Sequence, residues 1–154
     1  MDRSRRLFLL VAVGLVFLVS LIVTQRSAPG KRSKGGAESK ITWLTELAPA
    51  IAKAKETGKP VMVDFYADWC GPCKLLDSET YSDDRVATAS TNWLMVRIDV
   101  DKNQSLAQAY NVQSIPTILV LNSEAKEVRR EVGFIGVGPM LTLMEDRSAA
   151  QTVK

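Results

Sequence analysis

The sequence has 154 residues, 46% hydrophobic and 24% charged, with two cysteines and no histidine. The lack of histidine excludes Ser-His and Cys-His catalytic pairs and imidazole metal sites, and two cysteines can neither complete a four-ligand zinc centre nor build a disulfide framework. The formal net charge of +3 is unevenly divided, with eight basic against two acidic side chains up to Lys40 and twelve against fifteen beyond it. The basic excess belongs to an N-terminal tail, and the mildly acidic remainder offers no face for a nucleic acid.

Residues 7–23, LFLLVAVGLVFLVSLIV, form an uncharged run of 17 residues. As a helix it would measure about 26 Å, a thin span for a hydrocarbon core of about 30 Å. Arg26 can snorkel beyond it. The rival reading is a cleaved signal peptide, which expects a shorter apolar region and a small-x-small cleavage site. Neither is present in LIVTQRSAP. An N-terminal membrane anchor over residues 1–26 is therefore expected, with Arg3, Arg5 and Arg6 holding the N-terminus in the cytoplasm and the remainder outside. Residues 27–40, rich in Gly, Ser, Lys and Arg, read as a flexible basic linker.

Residues 41–154 are long enough to bury one core without disulfide staples. Residues 45–57 place Leu47, Ala50, Ile51 and Ala54 on one helical face, with Pro49 in the first turn and Gly58 as the stop. VMVDFYA after Pro60 is a buried-strand run. CKLLDSET after Cys70 reads as helix, and a second short helix is expected to start at Ser82. Residues 92–100 alternate Leu94, Val96, Ile98 and Val100 with the two-residue period of a strand. A helix through LAQAYN follows.

Pro116 precedes a strand, TILVL, and a turn over residues 122–126 leads to VRREV, whose charges suit an exposed edge. Gly138 and Pro139 open a last helix carrying Met140, Leu141, Leu143 and Met144. Helices between the early strands imply parallel crossovers, whereas the short last connection implies an antiparallel hairpin. The fold class is α/β, a mixed central sheet with helices on both faces.

The chemistry is concentrated in Trp69-Cys70-Gly71-Pro72-Cys73. A strand ends just before it and a helix starts within it, so unpaired N–H groups favour an anion at Cys70 and lower the cost of its thiolate. The two-residue spacing puts Cys73 one turn further on, close enough to exchange between dithiol and disulfide. Structural cysteines, or half of a shared metal site, are the bland alternatives. Asp64 interrupts an apolar strand, where desolvation should raise its pKa, unless it merely faces solvent near the strand end.

The segment VDFYADWCGPCK resembles the active site of thioredoxins, and Ser114-Ile115-Pro116-Thr117 is similar to that family's cis-proline loop, with Gly133 near the end of the edge strand. WLTELAPAIAKAKETGKPV and ETYSDDRV are similar to the C-terminal thioredoxin-like domain of DsbD-type membrane reductases. The resemblance implies a thioredoxin fold. It also implies that Cys70 is the nucleophile, Cys73 the resolving thiol and Asp64 the proton carrier for Cys73. Ile115 and Pro116 would dock an extended substrate beside Gly71, Pro72 and Trp69, with Trp69 shielding the thiolate. Arg97 stands where thioredoxins usually carry a Lys, and a permanently charged guanidinium is expected to hold Asp64 ionised more firmly. Trp43, Trp93 and Phe134 are assigned to packing.

The expected function is a membrane-tethered, extracytoplasmic thiol–disulfide oxidoreductase of a bacterial inner membrane, with its domain on the periplasmic side. Gly71-Pro72 resembles reducing thioredoxins, at about −270 mV, so protein disulfides would be the substrates. A membrane electron donor of the DsbD or CcdA type would re-reduce a monomer that needs no cofactor or metal beyond its Cys70–Cys73 disulfide. A disulfide oxidase or isomerase, and a non-catalytic binding module, are the alternatives.

Overall fold

The computed structural model describes residues 40–145. The expected anchor and linker lie outside these residues, as does the tail beyond Glu145. Among the described residues no helix is long and apolar enough to cross a membrane.

Helix α1 (Leu47–Thr57) buries Leu47, Ala50 and Ala54. Pro49 falls in its first turn, where a missing N–H costs nothing. Gly58 closes it at φ 68°, a left-handed conformation suited to glycine, and donates its N–H to Ala54 O at 2.9 Å. Strand β1 (Val61–Tyr66) is followed by a short helix α2 (Gly71–Leu75), a π-helical turn (Leu76–Tyr81) and α3 (Asp84–Ser90). The cap of α3 is Asp83, whose carboxylate accepts the Arg85 N–H, and not Ser82. Ser82 instead donates its hydroxyl to Ser78 O at 2.6 Å, because the π turn carries helical structure as far as Tyr81.

Strand β2 (Leu94–Asp99), helix α4 (Gln104–Ala109), strands β3 (Thr117–Leu121) and β4 (Glu127–Val132) and helix α5 (Val137–Glu145) complete the chain order. The sheet runs β2-β1-β3-β4. β1 and β2 are parallel, while β3 is antiparallel to β1 and to β4. The expectation of parallel crossovers therefore holds for β1–β2 alone. α4 has six residues and rises only about 9 Å, and it returns the chain to the end of the sheet from which it left. The central strands β1 and β3 are buried along almost their whole length, whereas β4 is half-exposed and charged as an edge should be.

The two faces of the sheet make two cores. Val61, Val63, Phe65, Leu94, Val96, Ile98, Leu119 and Leu121 pack with α1 and α4. Met62, Met95, Ile118 and Val120 pack with Leu76, Tyr81, Val86, Trp93 and the α5 residues Met140, Leu143 and Met144. Strand alternation puts Asp64 on this second face with Met62. Trp93 is buried as expected, but Phe134 is 38% exposed and is not a packing residue. It follows Gly133, whose positive φ of 89° and N–H bond to Pro116 O turn the chain out of the edge strand.

Register aligns the ends of the strands. Tyr66 pairs with Asp99, Phe65 with Thr117 and Thr117 with Val132. The C-terminal ends of β1, β2 and β4 and the start of β3 thus share one edge of the molecule, and the Cys70 and Pro116 loops meet there.

Candidate active site

Cys70 and Cys73 form a disulfide with an S–S distance of 2.09 Å and a Cα–Cα distance of 5.3 Å. Cys70 is the N-cap of α2, extended at φ −74° and ψ 108°, and its sulfur accepts the backbone N–H of Cys73 at 3.1 Å. Gly71 and Pro72 fill the first two helical positions, and Pro72 fits where no helical N–H bond is needed. A sulfur at an N-cap faces donors that are otherwise unsatisfied, so a thiolate on Cys70 is stabilised relative to its thiol. Cys70 and Cys73 are both nearly inaccessible, at 3% and 2%. Exposure therefore does not distinguish the two sulfurs, whereas the cap position does, being held by Cys70 alone.

Opposite the disulfide lies the cis Ile115–Pro116 bond. Ile115 is half-buried and packs against the cluster of Ala67, Cys70 and Cys73, while Pro116 is buried. Trp69, 68% exposed, donates its indole N–H to the Asp101 carboxylate at 2.8 Å. Trp69, Val100, Val112, Ser114 and Ile115 line an open groove of about 330 Å³. The predicted site residues Cys70, Gly71, Pro72 and Cys73 thus stand beside Ile115 and Pro116, with Trp69 on the rim.

Asp64 does not face solvent; it is fully buried and neither carboxylate oxygen has a hydrogen-bond partner. Desolvation pushes its pKa up to about 7, against the lowering effect of Arg97, and Asp77 adds to the rise. Arg97 is opposite Asp64 in the β1–β2 register. Its Nε approaches Asp64 Oδ2 at 3.3 Å but makes no hydrogen bond, and its Nη2 reaches both Asp77 oxygens, at 2.8 and 2.9 Å. The guanidinium is stacked over the Tyr66 ring at 4.1 Å and the Trp43 ring at 5.5 Å. Arg97 favours the ionised form of Asp64, but desolvation outweighs it, and the guanidinium's directed hydrogen bond goes to Asp77. Tyr81, edge-on to Trp43 with centroids 4.9 Å apart, is fully buried, and burial and the nearby Asp64 raise its pKa well above the usual phenol value.

Asp77, Tyr66 and Trp43 were not readable as site residues. Trp43 does pack, but it also forms one wall of the Arg97 slot. One signal was available: an arginine in an otherwise apolar strand needs charged or aromatic partners.

Residues 45–138, more than half of the chain, match the family model for thioredoxin. The thiol:disulfide interchange protein DsbD of Vibrio cholerae is 38% identical over 109 residues, which cover 67% of this chain and 18% of that protein. The chain thus spans less than a fifth of the length of this curated relative. The C-terminal domain of Neisseria meningitidis DsbD in its oxidised form is 30% identical with a TM-score of 0.56, over 64% of this chain and 89% of that one. A Thermus thermophilus thioredoxin is 26% identical with a TM-score of 0.63, over 71% and 88% of the two chains. With the fold, the Cys70–Cys73 disulfide and these likenesses in agreement, the chain belongs to the thioredoxin family and is a thiol–disulfide oxidoreductase.

Proposed function

We propose that the protein is a monomeric protein-disulfide reductase, tethered by residues 1–26 to a bacterial inner membrane with its thioredoxin domain in the periplasm. The observation that carries the chemistry is the Cys73 N–H held on Cys70 Sγ at 3.1 Å. The same donor that caps the disulfide in the oxidised state stabilises a thiolate in the reduced one. The apolar run of residues 7–23 and the similarity to DsbD support the location.

In the reductive direction, the Cys70 thiolate attacks one sulfur of a substrate disulfide, forming a mixed disulfide and releasing the other sulfur as a thiolate. Asp64 takes the proton from the Cys73 thiol. The Cys73 thiolate then attacks Cys70 Sγ, which breaks the mixed disulfide, releases the second substrate thiolate and closes Cys70–Cys73. The substrate leaves with two electrons, and a membrane dithiol donor of the DsbD or CcdA type restores them to the protein. The groove along Trp69 and Ile115 receives an extended segment of the substrate, with Gly71, Pro72 and Pro116 providing backbone beside the sulfurs.

The test is the equilibrium reduction potential of the Cys70/Cys73 couple in the full chain, held in detergent against defined thiol buffers. A value at or below about −230 mV supports the reductase, whereas one above about −150 mV makes the protein an oxidant of secreted thiols.

A further inference from the structure

Arg97 could satisfy Asp64, its direct neighbour across the ladder, yet its guanidinium spends its hydrogen bond elsewhere. Nη2 sits on Asp77 at 2.8 and 2.9 Å, leaving Nε 3.3 Å from Asp64 Oδ2 with no hydrogen bond. The rings of Tyr66 and Trp43, with centroids 4.1 and 5.5 Å from the guanidinium carbon, wall the slot in which the guanidinium sits and leave its hydrogen-bonding direction to the acids. Asp77 is anchored on the π-helical turn, whose neighbours Leu76, Thr80 and Tyr81 are buried, and Thr80 donates its hydroxyl to Ile135 O at 2.7 Å. The π turn is thus tied to the body of the domain on both sides of its solvent-facing acid. Asp77 itself is 42% exposed, so it is not required to fill a core.

The geometry points to Asp77 as a positioning residue that draws Arg97 off the buried Asp64, so that Asp64 can hold and return the proton of the resolving cysteine. This rests on Asp64 being the proton carrier proposed above. The charged and titratable groups that act on Asp64 are Arg97 from β2 and Asp77 and Tyr81 from the π turn, with Tyr66 two positions further along β1; its antiparallel neighbour on β3 is Ile118. Only Arg97 is cationic among them, so its placement sets how far the pull of an opposite charge offsets the desolvation that keeps Asp64 protonated. Without Asp77, the guanidinium is free to turn to Asp64, and an opposite charge at hydrogen-bond distance lowers a carboxyl pKa by about one unit or more. A carboxylate that ionises more readily is a weaker base for the Cys73 thiol near neutral pH.

The reduced full chain in detergent, reacted with the small disulfide 5,5′-dithiobis(2-nitrobenzoate), separates the steps. The first chromophore is released as Cys70 attacks and the second as Cys73 closes the ring. The rate of the second phase should rise with pH along a limb set by Asp64. Asp77→Asn should shift that limb to lower pH by about one unit or more, Asp77→Glu should restore it, and the shift should fall to less than half in an Arg97→Met background, where no guanidinium can move. Asp64→Asn is the control for the underlying assignment. If it leaves the limb intact, the proton-carrier role fails; if it abolishes the limb while Asp77→Asn does not move it, or moves it equally without Arg97, the positioning role fails.

Discussion

Asp64 and Arg97 face one another across the parallel β1–β2 ladder, yet at 3.3 Å they form an ion pair without a hydrogen bond, and both Asp64 oxygens are buried without a hydrogen-bond partner. A buried carboxylate that accepts no hydrogen bond favours its neutral form. The fold thus keeps a proton on Asp64 at a pH where an ordinary aspartate has lost it, next to the face on which the cysteine-bearing helix and its π extension pack.

That proton links folding to pH. The Asp64 pKa is about 7 in the folded protein against 3.8 for an unperturbed aspartate. Between these values the unfolded chain binds fewer protons than the native one, so this group's contribution to stability falls as pH rises from about 4 to about 7 and is constant above. The span is worth roughly 4 kcal/mol. Denaturant unfolding of the oxidised protein and of Asp64→Asn should therefore diverge with pH, the variant gaining roughly that amount relative to the parent between pH 4 and 7.5. Parallel pH profiles would contradict the burial of an ionisable carboxyl.

In the proposed mechanism Cys73→Ser removes the thiol that resolves the mixed disulfide and leaves Cys70, capped by the Cys73 N–H, as the nucleophile. Covalent complexes through Cys70 should accumulate in cells and disappear with dithiothreitol on a gel. Cys70→Ser should trap none. Equal trapping by both variants would contradict the assignment of nucleophile and resolving thiol.

Trp69 reaches solvent while its indole is fixed by Asp101, a combination of exposed apolar area and restricted motion suited to substrate contact. Trp69→Ala should raise KM for protein disulfides about tenfold or more, as loss of a central tryptophan anchor does. Its rate with a small disulfide reagent should change little. An equal loss with both substrates would assign Trp69 to the cysteine chemistry and not to docking.

Legibility in the sequence followed the range of the physics involved. Asp64 stood out because an acid in an apolar strand is costly, and Cys70 because strand, Gly-Pro and helix surround it locally. The antiparallel entry of β3 was hidden, since it depends on where a six-residue α4 ends relative to β1. The cap at Asp83 was missed by one residue because the π turn lengthens the preceding helix. Asp77 and Trp43 gave no signal of their own. One is a half-exposed acid and the other an ordinary aromatic, and they acquire a role only where the fold brings both to Arg97.

Tyr81 is the remaining polar group of this cluster without a partner, its hydroxyl buried beneath the T-shaped contact with Trp43. Its ring fills core volume on the π turn, whereas its oxygen loses water and gains no hydrogen bond. Tyr81→Phe keeps the ring and removes the oxygen, so unfolding in denaturant should show a protein at least as stable as the parent, by up to about 1–2 kcal/mol. A destabilisation of more than about 1 kcal/mol would mean that the hydroxyl is hydrogen-bonded in solution, and Asp64, whose charge already raises the Tyr81 pKa, is the acceptor to examine first. The same variant then discriminates two states of the site, because a phenol donating to Asp64 would stabilise its carboxylate and lower its pKa, and Tyr81→Phe would move the Asp64 pH limb upward. With the geometry found here, that limb stays where it is.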